Sequence, residues 1–336
     1  MDRQRKYKEI IGKFAGKRIM VVGDLVADRY ILGMSSRVSR EAPVLILKYD
    51  SEMLAPGAAG NATANLKALG AHPVPLGVVG DDEIGLRLLE ILNRSGVDTR
   101  NIIIEQGAVT TTKTRILAGG QNTTKQQVIR IDREPERKPL AGTHERILGE
   151  LRRSRGQWDA LLVSDYSLGI INDAVSEEVV RLAREDKGII TVDSRRSILK
   201  FHHVTAVTPN EEEIEDALGI CLDDGTLEKA GRTVLEAIQP QGVLITRGRK
   251  GMALFQPRRP TTHLSIYGTD EIADVTGAGD TVIATFTLGL VAGADMVDAS
   301  QLANMAGGLV VMKRGTATIS AGELHAAVNS DMEGPS

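Results

Sequence analysis

The chain has 336 residues, 25% of them charged, and a formal net charge of −3, a size for one large domain or two small ones and a balance that excludes nucleic acid and a basic membrane surface as expected partners. Cys221 is the only cysteine, which excludes a disulfide framework or thiolate metal cluster and suits a reducing cytoplasm. The charged stretch 1–18 lacks the apolar core of a signal peptide, and no window has the apolar length of a transmembrane helix.

Apolar runs alternate with amphipathic stretches along the chain. Ile19–Val22 reads as a strand ending at Gly23-Asp24, Asn61–Leu69 as a helix stopped by Gly70, Val74–Val79 as a strand and Asp82–Asn93 as a helix. The strand Ala160–Val163, helix Asp173–Glu185, strands Ile189–Val192 and Ala206–Val207, and helix Asn210–Leu218 follow. Val243–Ile245 is a strand, and helices are expected near Thr281–Val291 and Val297–Met312. Continuous apolar strands between amphipathic helices predict an α/β fold: a doubly wound, mostly parallel sheet with helices on both faces. Two segments break the rhythm. Tyr30–Asp50 and Ile102–Asp132 alternate apolar and polar residues and are rich in Thr and Val, which predicts antiparallel strands of a small separate sheet. Such a sheet can serve as a lid that excludes water; a plain edge extension of the main sheet is the alternative. The tail 329–336 is expected to fray.

One motif carries chemistry: Asp274-Val-Thr-Gly277-Ala278-Gly279-Asp280, running straight into an apolar helix. Glycines let backbone N–H groups converge on one point, and a helix start adds partial positive charge there. The result is an anion hole formed by Gly277, Ala278 and Gly279. Asp280 beside it can accept a hydroxyl proton while phosphoryl charge is stabilised. Helix-start charge is expected to keep Asp280 ionised at neutral pH. The plain alternative is a tight turn with a helix-capping Asp. No Gly-Lys-Ser/Thr follows, so this is neither a Walker A loop nor a dinucleotide fingerprint.

Asp274–Ile283 resembles the C-terminal signature of the ribokinase-like, or PfkB, carbohydrate kinases. The family's other marks follow in order: Gly57-Ala-Ala-Gly-Asn61 with Gly70 and Gly80, Thr208-Pro-Asn210-Glu-Glu-Glu213, and Thr246-Arg-Gly248-Arg-Lys-Gly251. Within the family, Gly23–Tyr30, Ser36–Val44, Leu162–Tyr166 and Asp274–Thr281 resemble the D-glycero-D-manno-heptose 7-phosphate kinases, which phosphorylate the anomeric O1 in ADP-heptose synthesis for lipopolysaccharide. Many of those carry a C-terminal nucleotidyltransferase. This chain stops after the kinase portion, so a single kinase domain over 1–336, with lid strands at about 30–50 and 102–132 and no nucleotidyltransferase domain, is expected. It departs from the pattern at Arg40, where Pro is usual, at Asp193-Ser-Arg-Arg, where Asp-Pro-Lys is usual, and at Gly60, where Ala is common.

The resemblance implies ATP, Mg²⁺ and a sugar phosphate as ligands, with K⁺ as a further ion and a homodimer through the lid. Asp280 is the implied base. Asp28, after the first strand, and Asn61, at a helix start, are the implied sugar ligands; Asp24 competes with the first, and an N-cap role with the second. Gly57 and Asp165 belong to the same implied group. Lys113, Arg115, Arg130 and Arg37 lie in the lid segments and suit a phosphate monoester, although any one alone reads as a solvated surface cation. Asn210 and Glu213 stand one helical turn apart and read locally as a capping box; the family reading makes Glu213 an organiser of water around Mg²⁺. Thr246, Arg247, Gly248, Gly251 and Asn304 are implied nucleotide contacts. Asp274 and Thr276 are implied ligands of a monovalent cation with the loop near Gly315, or else simply residues of the turn. His202-His203 lack metal spacing. Another acceptor (fructose, ribose or a nucleoside) and a non-catalytic sugar-binding regulator are the competing functions.

Overall fold

The computed structural model describes residues 2–120, 125–135, 139–186, 188–268 and 274–330. Its centre is an eight-stranded sheet. The order is Thr262–Leu264, Met252–Phe255, Gly242–Thr246, Ala206–Val207, Ile189–Ser194, Ala160–Asp165, Arg18–Gly23, His72–Leu76. The last six strands in this order are parallel, and the first two add an antiparallel edge. Alternate residues of each strand feed opposite layers. Ile19, Val21 and Leu162 pack into a core with helices Ala59–Ala68, Ala278–Val291 and Met296–Val311. Met20, Val22, Leu161 and Val163 face a second core with Ala141–Arg153, Asp173–Asp186 and Leu227–Ile238. Both faces are covered, which is why these strands read as unbroken apolar runs.

The chain leaves Arg18–Gly23 for His72–Leu76 on one side and later returns to Ala160–Asp165 on the other. Strand order therefore reverses beside Gly23, and a crevice opens at the carboxyl ends of these strands. Asp24, Tyr166 and Arg195 all follow strand ends there.

A separate four-stranded sheet stands over that edge: Leu45–Ala58, Leu25–Val38, Thr112–Gly119 and Gln126–Arg133, in that order. Its central pair, Leu25–Val38 with Thr112–Gly119, is parallel, whereas alternation alone had suggested an all-antiparallel sheet. The two strands are far apart in the chain: Leu25–Val38 follows Arg18–Gly23 of the main sheet, and Thr112–Gly119 follows Ile103–Glu105 of a two-stranded sheet, so no tight turn forces them antiparallel. The predicted strand Val74–Val79 is also two strands: His72–Leu76 joins the main sheet, and Val78–Gly80 pairs with Ile103–Glu105 in a two-stranded sheet. Gly77 makes the break. A Cβ there would lie 2.6 Å from the Gly23 carbonyl oxygen, so only glycine lets the chain pass. Periodicity did not reveal the N-terminal helix Asp2–Gly12, whose Tyr7, Ile10 and Ile11 are buried. Residues 331–336 of the tail lie outside the described residues.

Helix Ala278–Val291 is apolar nearly all round, because it lies between the sheet and helix Met296–Val311. Phe286 is fully buried in it. Phe286→Ala should lower the unfolding free energy by about 3–5 kcal/mol, read as a lower urea midpoint with an unchanged m value.

Candidate active site

Gly277 caps the start of helix Ala278–Val291 with φ 77°, and Asp280 falls in the first helical turn. A Cβ on Gly277 would lie 2.3 Å from Asn61 Nδ2, so glycine is required for both its conformation and its contact. Asn61 Nδ2 donates to the Gly277 carbonyl at 3.2 Å and to Asp280 Oδ2 at 2.9 Å. Asn65 Nδ2 donates in turn to Asn61 Oδ1 at 3.1 Å, which fixes the orientation of the Asn61 amide. Tyr166 Oη donates to Asp280 Oδ1 at 3.0 Å. Both carboxylate oxygens thus receive a donor from a different strand-to-helix unit.

Asp280 is 2% exposed. Burial pushes its carboxyl up to about 7, with Asn61 and Tyr166 pulling the other way. The helix start alone therefore does not hold Asp280 fully ionised at neutral pH; desolvation is the larger effect. Such a group is poised for proton exchange near neutrality.

A cavity of about 230 Å³ opens against Asp280, lined by Asp28, Lys113, Arg115, Arg130, Tyr166 and Arg195, with Thr276 and Gly277 below. Asp28 accepts from an Arg115 guanidinium nitrogen, and its Oδ2 accepts from Thr316 Oγ1 at 3.0 Å. Gly57 is the neighbour that permits this: a Cβ there would come within 2.4 Å of Asp28 Oδ2. Arg115 lies over the Tyr30 ring at 5.4 Å, and Tyr30 Oη accepts from the Thr316 N–H at 3.0 Å. Arg130 lines the mouth and pairs with Asp132 at 2.9 Å. Lys113 lies 5.5 Å from the Tyr166 ring centre; burial, then repulsion from Arg195, pulls its ammonium pKa down.

A second slot of about 150 Å³, lined by Thr246, Gly248, Gly251, Ile266, Asn304 and Val311, reaches the other side of the same turn. Val275 lines both spaces, Gly277 and Asp280 line the first, and Ala278 and Gly279 line the second. The Gly-Ala-Gly turn is therefore the partition between a polar cavity and a mainly apolar slot. A phosphoryl group carried in the slot and a hydroxyl held in the cavity would meet at one helix start.

Other predicted residues are placed elsewhere. Asp165 lines neither space; its oxygens accept from Ser194 Oγ at 2.7 Å and from the Ser167 N–H at 2.9 Å, making a buried bracket under the 194–197 loop. Arg247 does not line the slot, because its guanidinium is held by Glu211 at 2.8 Å and by Asp224. Asp24 accepts from the Tyr166, Leu168 and Ile170 N–H groups, so it shapes the loop that carries Tyr166. Asn210 and Glu213 form the full capping box: Glu213 N–H donates to Asn210 Oδ1 at 2.8 Å and Asn210 N–H to Glu213 Oε2 at 2.9 Å. Asp274 accepts from the Thr276 N–H at 2.9 Å and the Gly315 N–H at 3.1 Å, tying the turn to the loop that carries Thr316. Arg37 lies in strand Leu25–Val38, and its side chain lies outside the described residues. Tyr166, Arg195, Tyr30 and Thr316 join the site without having been singled out. The first two directly follow strand ends at the crevice, which is the signal that could have found them.

The architecture is that of the ribokinase-like kinases, in which a lidded, doubly wound sheet meets a glycine turn and an aspartate. Residues 17–321 match the model of the pfkB family carbohydrate kinases, and the chain belongs to this family. It is thus a phosphotransferase that acts on a sugar hydroxyl and uses ATP. It is similar to the bifunctional protein HldE of Trichlorobacter lovleyi, 38% identical over 332 residues, covering 98% of this chain but 66% of that relative, just under two-thirds of its length. It also resembles the structure of Arabidopsis thaliana ribokinase complexed with ribose and ATP (TM-score 0.71, 18% identity, 93% of this chain and 99% of that one). Phosphofructokinase-2 from Escherichia coli in complex with potassium has a TM-score of 0.73 at 13% identity, over 94% of this chain and 99% of that one. Among the described residues no helix is long and apolar enough to cross a membrane.

The rate of phosphotransfer should fall on the acid side with an apparent pKa of about 7, since a protonated Asp280 cannot accept the hydroxyl proton. Tyr166→Phe removes a donor to the ionised form, so its acid limb should move to higher pH; an unmoved limb would show that Tyr166 has no hold on the base. Asp280→Asn should leave the circular dichroism spectrum intact and lower kcat by roughly 10²- to 10⁴-fold.

Proposed function

We propose that this kinase transfers the γ-phosphoryl of ATP to O1 of D-glycero-D-manno-heptose 7-phosphate, giving the 1,7-bisphosphate. The observation that carries this reading is the charge of the acceptor cavity: four basic side chains line it, of which Arg115 pairs with Asp28 and Arg130 with Asp132, while Lys113 and Arg195 have no ion-pair partner among the described residues. A neutral sugar needs no such excess of positive charge, whereas a phosphate monoester does. The relatedness to HldE proteins supports the heptose class.

In this mechanism Asp28 holds sugar hydroxyls, with Gly57 leaving room for it, while Asn61, expected from the sequence as a second sugar ligand, has its amide engaged by Asp280, Gly277 and Asn65 and instead positions the base. Lys113 and Arg130 receive the acceptor's own phosphate; Arg115 sets the Asp28 carboxylate, and Arg37 is assigned to the same cation group by its place in the strand. Asp280 takes the proton of the attacking hydroxyl, while the Gly277, Ala278 and Gly279 N–H groups face the transferring phosphoryl. The apolar slot takes the nucleoside, with Thr246, Gly248, Gly251 and Asn304 at its wall. Asn210 and Glu213 stand nearby in chain and fold, since Asn210 bridges Thr246.

Among the described residues no group of three or more His, Cys, Asp or Glu could cage a metal. This donor set fits Mg²⁺, which keeps most of its waters and takes one or two carboxylates beside phosphate oxygens. Glu213 would hold it through water by Oε1, since its Oε2 serves the capping box. When bound, the ion would neutralise phosphate charge. Asp274 and Thr276, tied to Gly315, would hold a K⁺ ion, a reading favoured by the potassium complex of the related phosphofructokinase-2. A cytoplasmic location and a homodimer through the lid belong to the same reading; exposed Val38, Tyr49, Ile129 and Ile131 on the lid sheet support the dimer.

The test is ADP release with ATP, Mg²⁺ and a panel of sugars and sugar phosphates, with the product position assigned by NMR. Heptose 7-phosphate should give the highest kcat/KM, and O1 should carry the new phosphate. Lys113→Ala and Arg130→Ala should each raise its KM by roughly 10-fold or more while leaving the slow turnover of the unphosphorylated sugar little changed. A preference for fructose, ribose or a nucleoside would move the substrate elsewhere in the family.

A further inference from the structure

Of the four basic residues at the acceptor cavity, Arg115 pairs with Asp28 and Arg130 with Asp132. Lys113 and Arg195 have no ion-pair partner among the described residues, and both lie over the ring of Tyr166, at 5.5 and 4.9 Å from its centre. Two unpaired cations gathered on one ring repel each other, which is one cause of the lowered Lys113 pKa. Such an arrangement asks for an anion between or beside them.

The two cations have different surroundings. The charges that act on Lys113 include Asp28, Asp132 and Arg130, all on the sugar side. Arg195 instead lines the cavity together with Gly277 and Asp280, two residues after Asp193. Asp193 belongs to the phosphate side, since a Cβ on Gly279 would lie 3.8 Å from its Oδ2. Arg195 therefore belongs to the part of the cavity wall that continues through Asp193 toward the Gly277–Gly279 turn.

Its backbone is held there. The Arg195 N–H donates to the Asp165 carbonyl at 3.0 Å, and Asp165 Oδ2 accepts from Ser194 Oγ at 2.7 Å. Ser194 Oγ also accepts from the Ser197 N–H at 3.0 Å. This buried bracket fixes the base of a side chain whose guanidinium is free to meet a ligand. The ring beneath it, Tyr166, is the same residue that donates to Asp280. Base and cation are thus set by one side chain.

We propose that Arg195 is a catalytic residue that binds the transferring phosphoryl group from the face opposite the Gly277–Gly279 N–H groups. The two faces together enclose the equatorial oxygens, where charge gathers as the γ-phosphoryl leaves ADP and bonds to the sugar oxygen. A guanidinium offers two parallel donors to two such oxygens, which an ammonium cannot. Tyr166 stacking keeps the fork in plane and limits its search of other rotamers. The proposal rests on the kinase activity of the family and not on which sugar is the acceptor.

The experiment compares wild type, Arg195→Ala and Arg195→Lys by titration with MgADP and with Mg·β,γ-methylene-ATP, in the absence of sugar. If Arg195 holds the γ-phosphoryl, Arg195→Ala should weaken the triphosphate analogue by roughly 10- to 100-fold relative to MgADP, as for loss of a charged hydrogen bond. With the best acceptor of the panel, kcat should fall by roughly 10²- to 10³-fold, the acceptor's KM should stay near wild type, and Arg195→Lys should restore part of the loss. An unchanged ratio of analogue to MgADP affinity overturns the proposal. So does a rise in KM confined to phosphorylated acceptors, which would place Arg195 on the acceptor's phosphate instead. Neither result depends on heptose 7-phosphate being the substrate.

Discussion

The site depends on a carboxylate kept where water is excluded. Asp280 sits in the first turn of a buried apolar helix, and desolvation there favours the protonated acid. Two donors oppose it, Asn61 from helix Ala59–Ala68 and Tyr166 from the loop that follows a central strand. The group's proton affinity is the balance of these effects. That balance requires three chain segments, near residues 61, 166 and 280, to arrive at one point with hydrogen-bond accuracy. The doubly wound sheet makes this possible, because its strand order reverses where those segments emerge.

The same turn that carries Asp280 divides the site into two spaces. The polar cavity and the apolar slot share Val275 and lie on either side of Gly277–Gly279. Side chains larger than glycine would close the approach of Asn61 to the turn. The small sheet contributes Asp28, Lys113, Arg115 and Arg130 to the cavity, so on the proposed function acceptor recognition falls to the lid and phosphate handling to the main sheet. Tyr30, a lid residue, bonds Thr316 in the loop tied to Asp274, and this joins lid and catalytic turn mechanically. A change in lid position would therefore be felt at the turn.

Much of the frame is legible in the residues. Short unbroken apolar runs such as Ala160–Val163, set between longer amphipathic helix periods, read as strands buried on both faces and leave few alternatives to a parallel sheet. The glycine turn, Asp280, Asn61 and Asp28 are recognisable because their chemistry is local to a motif. Asp165 and Arg247 show the limit of such motifs. Each lies beside residues of the site, yet each has its polar atoms engaged by neighbours remote in sequence: Asp165 by Ser194, and Arg247 by Asp224. The split of Val74–Val79 was equally hidden, since it follows from a clash with Gly23, which lies far back in the chain.

The sequence by itself determined the class of fold and the place of the Gly277–Gly279 turn with Asp280 at a helix start, because backbone propensity and a few adjacent residues suffice for each. Only the tertiary structure decided the ionisation balance of Asp280, the pairing of Arg115 with Asp28, and the gathering of Lys113 and Arg195 on Tyr166. These depend on distances between segments well separated along the chain, and charge and desolvation act through space rather than along it.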